Sequence, residues 1–151
     1  MNDPIPLSPI FRLQTRAETS DIDELGHVSN MTYVRWVQEV AREHSASVGL
    51  TRDAYVEGTG GVFVVSKHEI DYLEPALEGD AIALLTFITT WRAASSERYT
   101  RIERIADGVV LARARTLWAF VRVSSGKPKR IPPEIATAFG IARKPEIRPE
   151  I

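Results

Sequence analysis

The sequence contains no cysteine, and this absence excludes several kinds of chemistry at once. Without thiols the chain can have no disulfide framework, no thiolate metal site and no cysteine nucleophile. Histidine is also scarce, because the chain has only 3, and they lack the spacing of a metal-binding set. We therefore expect no metal ion and no bound cofactor.

The sequence also lacks a long apolar run and a strong excess of charge of either sign. The most apolar segment, 81–88, is far shorter than the roughly 20 residues that a membrane-spanning helix needs. A formal net charge of −1 argues against a general nucleic-acid-binding protein. No basic segment followed by an apolar one marks the N-terminus as a signal peptide. We expect a soluble, cytoplasmic protein with no nucleic-acid or membrane partner.

The chain is long enough to bury a full hydrophobic core. Its 151 residues are 44% hydrophobic and 26% charged, which is ordinary for a globular protein. We expect a single domain over residues 1–151, with a core of about 10–140.

The most informative segment begins with two carboxylates, Asp21 and Asp23. Apolar residues follow at spacings of three and four, which predict a long amphipathic helix. Ser29 or Asn30 would cap its start, and Gly49 would end it in a left-handed conformation. Such a helix has about 19 residues and is about 28 Å long at 1.5 Å per residue.

Alternation of apolar and polar residues predicts a strand before this helix and four strands after it. The five predicted strands are 10–19, 62–73, 81–91, 96–106 and 109–123. Asp107-Gly108 predicts a two-residue hairpin turn between the last two strands, a turn that needs a positive φ at Gly108. We expect an α+β fold in which a curved, antiparallel five-stranded sheet wraps around a long central helix.

The segment from Asp21 to Tyr33 resembles the signature of hotdog-fold acyl-CoA thioesterases of the 4-hydroxybenzoyl-CoA thioesterase type. Segments 68–80 and 126–132 resemble further parts of these proteins, although each is weak alone. The resemblance covers about residues 10–140 and implies hydrolysis of an acyl-CoA thioester to free acid and CoA. Coenzyme A is then part of the substrate, and an acyl-carrier protein is an alternative carrier. The sequence does not identify the acyl group.

The resemblance implies that Asp23 is the catalytic carboxylate and that the helix N-terminus near Asn30 polarises the thioester carbonyl. Asp23 could act as nucleophile or as general base for a water, and the sequence leaves this open. His27 is a further catalytic candidate, since it could orient Asp23 or the carbonyl. The alternative is that Asp21 and Asp23 only cap the helix, and we expect this structural role for Asp21.

The residues expected to bind substrate fall into three groups. Apolar side chains near the proposed site would hold the acyl group: Tyr33, Trp36 and Phe63. A strand bordering a partner subunit's site carries His68 and Glu69. Cations for the phosphates of CoA would be Arg92, Lys127, Lys129 and Arg130.

Two other functions remain open. Hotdog proteins also include hydratases or dehydratases. The signature of that type has four residues between an Asp and a His, whereas three residues separate Asp23 from His27. A non-catalytic acyl-binding module is the second alternative.

The exposed edge of strand 62–73 predicts pairing with a second copy about a two-fold axis. We expect a homodimer or a homotetramer, as the resemblance also implies.

Overall fold

A computed structural model describes residues 3–141 and contains one antiparallel sheet and three α-helices. The strands are β1 (Phe11–Arg16), β2 (Gly61–Tyr72), β3 (Ala81–Trp91), β4 (Ser95–Arg104) and β5 (Val110–Arg122); the helices are α1 (Asn30–Ser47), α2 (Arg52–Thr59) and α3 (Pro133–Ala138). The predicted α+β fold, with five strands curved around a long helix, is confirmed. Residues 1–2 and 142–151 of the predicted domain lie outside the described residues.

The strands are arranged in the order β1-β3-β4-β5-β2. Strands β3, β4 and β5 form consecutive antiparallel hairpins, while β1 pairs with β3 and β2 pairs with β5. The chain therefore passes from one edge of the sheet to the other through α1 and α2. None of the helices in this part of the chain is both long and apolar enough to cross a membrane.

Helix α1 forms where a good cap precedes an apolar stripe. The Oγ atom of Ser29 accepts a hydrogen bond from the Met31 N–H at 3.1 Å, so Ser29 is the N-cap. The helix has 18 residues, close to the predicted length, and Gly49 follows it with a φ of 84°. The side of α1 that faces the sheet is buried. Each large apolar side chain buried in this way stabilises the fold by roughly 1.5–3 kcal/mol.

The core consists of two apolar clusters. The first includes residues from the N-terminal two thirds of α1 and from the sheet: Tyr33, Trp36, Val37, Val40, Ile82, Leu84, Ile102, Leu111 and Ala112. The second is rich in aromatic residues and includes part of the C-terminal segment: Tyr55, Val62, Ile88, Phe120, Ile131, Ile135 and Phe139. Buried polar side chains, among them His44 and Arg98, complete the interior.

The turn between β4 and β5 is longer than predicted. The Arg104 N–H donates to the Val109 carbonyl at 2.9 Å, which leaves a loop of residues 105–108 rather than two residues. The Asp107 carboxylate accepts hydrogen bonds from the Arg104 guanidinium and, at 3.1 Å, from the Val109 N–H. This side-chain bonding favours the longer loop, while Gly108 has the positive φ that was expected, 73°.

Irregularities bend the long strands around α1. In β5, Leu111 is an extra residue, because Ala112 pairs with Ile102 and Val110 pairs with Glu103. Strand β2 has a similar shift between Val65 and Lys67. Such bulges increase local twist, as expected for a strand too long to remain flat.

Candidate active site

A tight loop of residues 23–27 lies immediately before α1. It is closed by a bridge between Ile22 and Val28 and by the Asp23 N–H, which donates to the His27 carbonyl at 2.7 Å. Gly26 has a φ of 82°, a conformation that side chains other than glycine rarely adopt. The sequence around Asp23 therefore folds into a defined turn rather than an open linker.

Backbone hydrogen bonds fix the orientation of the Asp23 carboxylate. Its Oδ1 atom accepts from the Leu25 N–H at 2.9 Å and from the His27 N–H at 3.2 Å. Its Oδ2 atom accepts no hydrogen bond from residues 3–141, and the side chain is exposed. His27 thus holds Asp23 through its backbone, and its exposed imidazole makes no hydrogen bond to this part of the chain.

Asp21 has a different environment from Asp23. Its side chain is 2% exposed, and its Oδ1 atom accepts from Arg35 Nη2 at 3.0 Å and from Thr32 Oγ1 at 3.4 Å. Its Oδ2 atom accepts from the Glu18 N–H at 2.8 Å. These contacts are those of a structural residue, as expected. Arg35 also forms an ion pair with Glu39, one helical turn further on, at 3.2 Å.

The N-terminus of α1 presents a free donor close in sequence to the Asp23 loop. Ser29 Oγ accepts the Met31 N–H, but the Asn30 N–H has no hydrogen-bond acceptor within residues 3–141. The exposed Asn30 is the first residue of the helix. Free N–H groups at a helix N-terminus carry partial positive charge and can bind a polarised oxygen.

The three apolar residues predicted to hold the acyl group do not lie together. Tyr33 and Trp36 are buried in the first cluster, in edge-to-face contact with centroids 5.5 Å apart. Tyr33 makes a similar contact with Tyr72, and burial raises the pKa of its hydroxyl, which stays protonated at neutral pH. Phe63 packs against the second cluster instead.

Phe63 lines a cavity of about 410 Å³ between α2, the C-terminal half of α1 and the sheet. The lining includes four further aromatic residues and one buried cation: Tyr55, Trp91, Trp118, Phe139 and Arg98. Helix α1 contributes five residues to the lining: Ala41, Arg42, Glu43, Ser45 and Ala46. About 18 Å of helix separates Asn30 from Arg42. Arg98 does not stand out in the sequence, because β4 carries polar residues on both of its faces.

His68 and Glu69 point to opposite sides of β2. The Nδ1 atom of His68 lies 2.9 Å from Thr116 Oγ1, and its Nε2 atom is buried without a partner among the described residues. Burial lowers the pKa of His68, which favours the neutral imidazole at pH 7. Glu69 is exposed and lies 3.6 Å from the Lys67 ammonium group.

The four predicted phosphate-binding cations lie at one end of the sheet. The Ile131 N–H donates to the Ala93 carbonyl at 2.8 Å, which joins the segment of Lys127, Lys129 and Arg130 to the turn that carries Arg92. This end of the sheet contains the last residues of β3. The Asp23 loop is at the opposite end, because Arg16, a few residues before the loop, pairs with Ala81, the first residue of β3. Strand β3 is about 35 Å long. Within one chain these cations are therefore far from Asp23.

No cluster of three or more His, Asp or Glu side chains suited to a metal ion occurs within residues 3–141.

A helix enclosed by a five-stranded sheet, with an acidic loop at its N-terminus, defines a hotdog-fold protein. The chain belongs to the thioesterase-like superfamily, whose family model matches residues 17–139. The predicted family and its class, the thioester hydrolases, are thereby confirmed.

Solved thioesterase structures have the same fold. A 1,4-dihydroxy-2-naphthoyl-CoA thioesterase from Synechocystis has a TM-score of 0.80 and 20% identity, covering 87% of this chain and 96% of its own. An Asp-to-Asn variant of 4-hydroxybenzoyl-CoA thioesterase in complex with 4-hydroxybenzoyl-CoA has a TM-score of 0.77 and 22% identity, covering 86% and 98%. A gentisyl-coenzyme A thioesterase has a TM-score of 0.73 and 18% identity, covering 86% and 99%. At these identities the likeness establishes the fold.

Proposed function

We propose that this protein hydrolyses an acyl-CoA thioester to a free acid and CoA, with Asp23 as the reacting carboxylate. The observation that carries the proposal is the geometry of that carboxylate. Two backbone N–H groups hold Oδ1, while Oδ2 is free just ahead of the N-terminus of α1. The similar solved structures of thioesterases for 4-hydroxybenzoyl-CoA and two other aromatic acyl-CoAs support this reaction type.

The chemistry can follow either of two routes. As a nucleophile, Asp23 Oδ2 attacks the thioester carbon, the CoA thiolate leaves, and water then hydrolyses the mixed anhydride. As a general base, Asp23 removes a proton from a water that attacks the same carbon. In both routes the carbonyl oxygen gains negative charge, which the Asn30 N–H and the positive end of α1 stabilise.

The His27 N–H contributes by fixing Oδ1, so that Oδ2 is directed at the substrate. Its exposed imidazole is close in sequence to both Asp23 and the helix N-terminus. The His27 imidazole is therefore a candidate for orienting the thioester carbonyl.

We further propose that the working site is shared between two copies of the chain. Strand β2 is at an edge of the sheet, and exposed edges tend to pair. Antiparallel pairing of two β2 strands about a two-fold axis would bring the Gly61 end of one strand beside the Tyr72 end of the other. Asp23 of one copy would then approach Phe63 and the four cations of the second, which are remote from it in a single chain. A dimer or a tetramer of such dimers satisfies this arrangement.

The test is release of free thiol from a panel of acyl-CoAs, using wild type and two matched variants. Asp23→Asn removes the reacting charge, and we expect turnover to fall at least about 100-fold, roughly 3 kcal/mol of barrier. The neighbouring Glu24 is exposed in the same loop, so Glu24→Gln removes the same charge and should leave turnover near wild type. Wild-type turnover in Asp23→Asn would contradict the assignment of Asp23. Inactivity of wild type on every acyl-CoA would contradict the function.

A further inference from the structure

The aromatic cavity contains a buried cation that has no acidic partner. Arg98 is 5% exposed and takes part in no ion pair among the described residues. Its Nη1 atom donates to His44 Nδ1 at 2.8 Å and to Thr86 Oγ1 at 3.2 Å. Its Nε and Nη2 atoms donate to no atom of residues 3–141. Arg98 lines the cavity, so these two donors are free to bind a ligand placed there.

The surroundings of Arg98 do not neutralise its charge. His44 is neutral at pH 7, because burial and the nearby guanidinium lower its pKa to about 4. The ring of Phe139, whose centroid is 5.8 Å from the guanidinium carbon, provides a cation–π contact but no negative charge. Burial also lowers the pKa of Arg98 to about 10, and the interaction with Tyr55 offsets this decrease only in part. A buried charge without a partner is unfavourable, and an anion placed beside it relieves this cost.

The rest of the cavity suits an apolar ligand. Its volume of about 410 Å³ is typical of small-molecule sites, which range over roughly 300–1,000 Å³. Five aromatic rings and several aliphatic side chains line the cavity, while Arg42, Glu43 and Arg52 lie at the exposed rim. Two cations and one carboxylate at the rim favour entry of an anion.

We propose that this cavity binds an apolar chain or ring that ends in a carboxylate, held by the free Nε and Nη2 atoms of Arg98. The planar guanidinium matches a carboxylate with two parallel hydrogen bonds, which neither an amide nor an alcohol can reproduce. Two sources share this chemistry. One is a free carboxylic acid, and the other is the distal carboxylate of an acyl group whose thioester lies at Asp23 of a second copy. The second source rests on the function proposed above, whereas the first does not.

The first experiment measures binding without any catalysis. Trp91 and Trp118 line the cavity, so their fluorescence should change when it is filled. Octanoate and its neutral isostere octanamide are titrated into the full-length protein. Because a charge-assisted hydrogen bond is stronger than a neutral one, we expect octanoate to bind about 10- to 100-fold more tightly.

Two methionine variants locate the charge responsible for this preference. Arg98→Met replaces the buried cation with an apolar side chain of similar length, and we expect the preference for octanoate to disappear. Arg52→Met removes the same charge from the rim and should leave most of the preference. If octanamide binds wild type as tightly as octanoate, or if neither binds, the proposal is overturned without either variant. A preference that survives in Arg98→Met also overturns it.

The second experiment separates the two sources. Hydrolysis of octanoyl-CoA is compared with hydrolysis of its analogue bearing a carboxylate at the far end of the chain. A higher kcat/KM for the analogue, lost in Arg98→Met, assigns the carboxylate to the substrate. Octanoate binding without that kinetic preference assigns the site to a free acid. If the protein binds octanoate but hydrolyses neither these thioesters nor any acyl-CoA of the panel described above, the proposed function fails while the binding site stands.

Discussion

Protonation of His44 should destabilise the fold at mildly acidic pH. The imidazole is 5% exposed, stacks on Phe11 with centroids 5.1 Å apart, and contacts Phe139 at 5.0 Å. Its Nδ1 atom accepts a hydrogen bond from Arg98, so a proton there would replace this bond with repulsion between two cations. Burial, followed by the charge of Arg98, lowers the pKa of His44 from 6.5 to about 4.

The sign and size of the effect follow from these two pKa values. Between them the unfolded chain binds a proton that the folded chain does not, so the free energy of unfolding falls as the pH falls. The contribution is fully present above about pH 7 and is lost as the pH approaches 4. We estimate a loss of about 2 kcal/mol between pH 7 and pH 5, and roughly 3 kcal/mol in total. His68 adds to the loss in the same direction, because burial lowers its pKa too.

The assay is urea unfolding at a fixed protein concentration, at several pH values from 7.5 to 5. His44→Gln keeps an acceptor for Arg98 but cannot bind a proton, so its stability should decline by about 2 kcal/mol less than wild type over that range. His27→Gln, a change at an exposed histidine, should retain the wild-type decline. Identical pH dependence in wild type and His44→Gln would refute the reasoning.

Two further predictions concern packing and assembly. A Cβ atom at Gly61 would lie 2.7 Å from the Phe120 ring, so Gly61→Ala should destabilise the fold by about 1–3 kcal/mol. Gly58 lies in open space within α2, so Gly58→Ala should be neutral or stabilising by up to about 1 kcal/mol. Urea unfolding measures the stability of both variants. If β2 pairs two copies, sedimentation at micromolar concentration should give at least a dimer, with activity lost on dilution. A fully active 16.9 kDa monomer would contradict the shared site.

The structure is predictable from the sequence where short-range interactions determine it. The stripe on α1 and its cap at Ser29 depend on residues within a few positions, so the helix could be predicted to within a residue or two. The turn after β4 was predicted only in part. Gly108 was correctly expected to have a positive φ, but the bond from Arg104 to Asp107 made the loop longer than its dipeptide indicated.

The candidate site also has one part that could be predicted from local sequence and one part that could not. The loop that holds Asp23 is local, and its motif could be recognised in the sequence. The orientation of Arg98 was not predictable, because it depends on register: Arg98 pairs with Ile88 and Thr116, which sets it facing inward. The separation of Asp23 from the basic turn likewise follows from the strand order, which local patterns do not specify.

The strand order also governs how the chain can fold. Strands β3, β4 and β5 are neighbours in both sequence and sheet, so short loops suffice to pair them. In contrast, Phe11 pairs with Thr86, and Gly61 pairs with Arg122, across long stretches of chain. Pairing at such separations slows folding. We therefore expect the central hairpins to form first from local contacts, and both edge strands, including the edge proposed for assembly, to pair later.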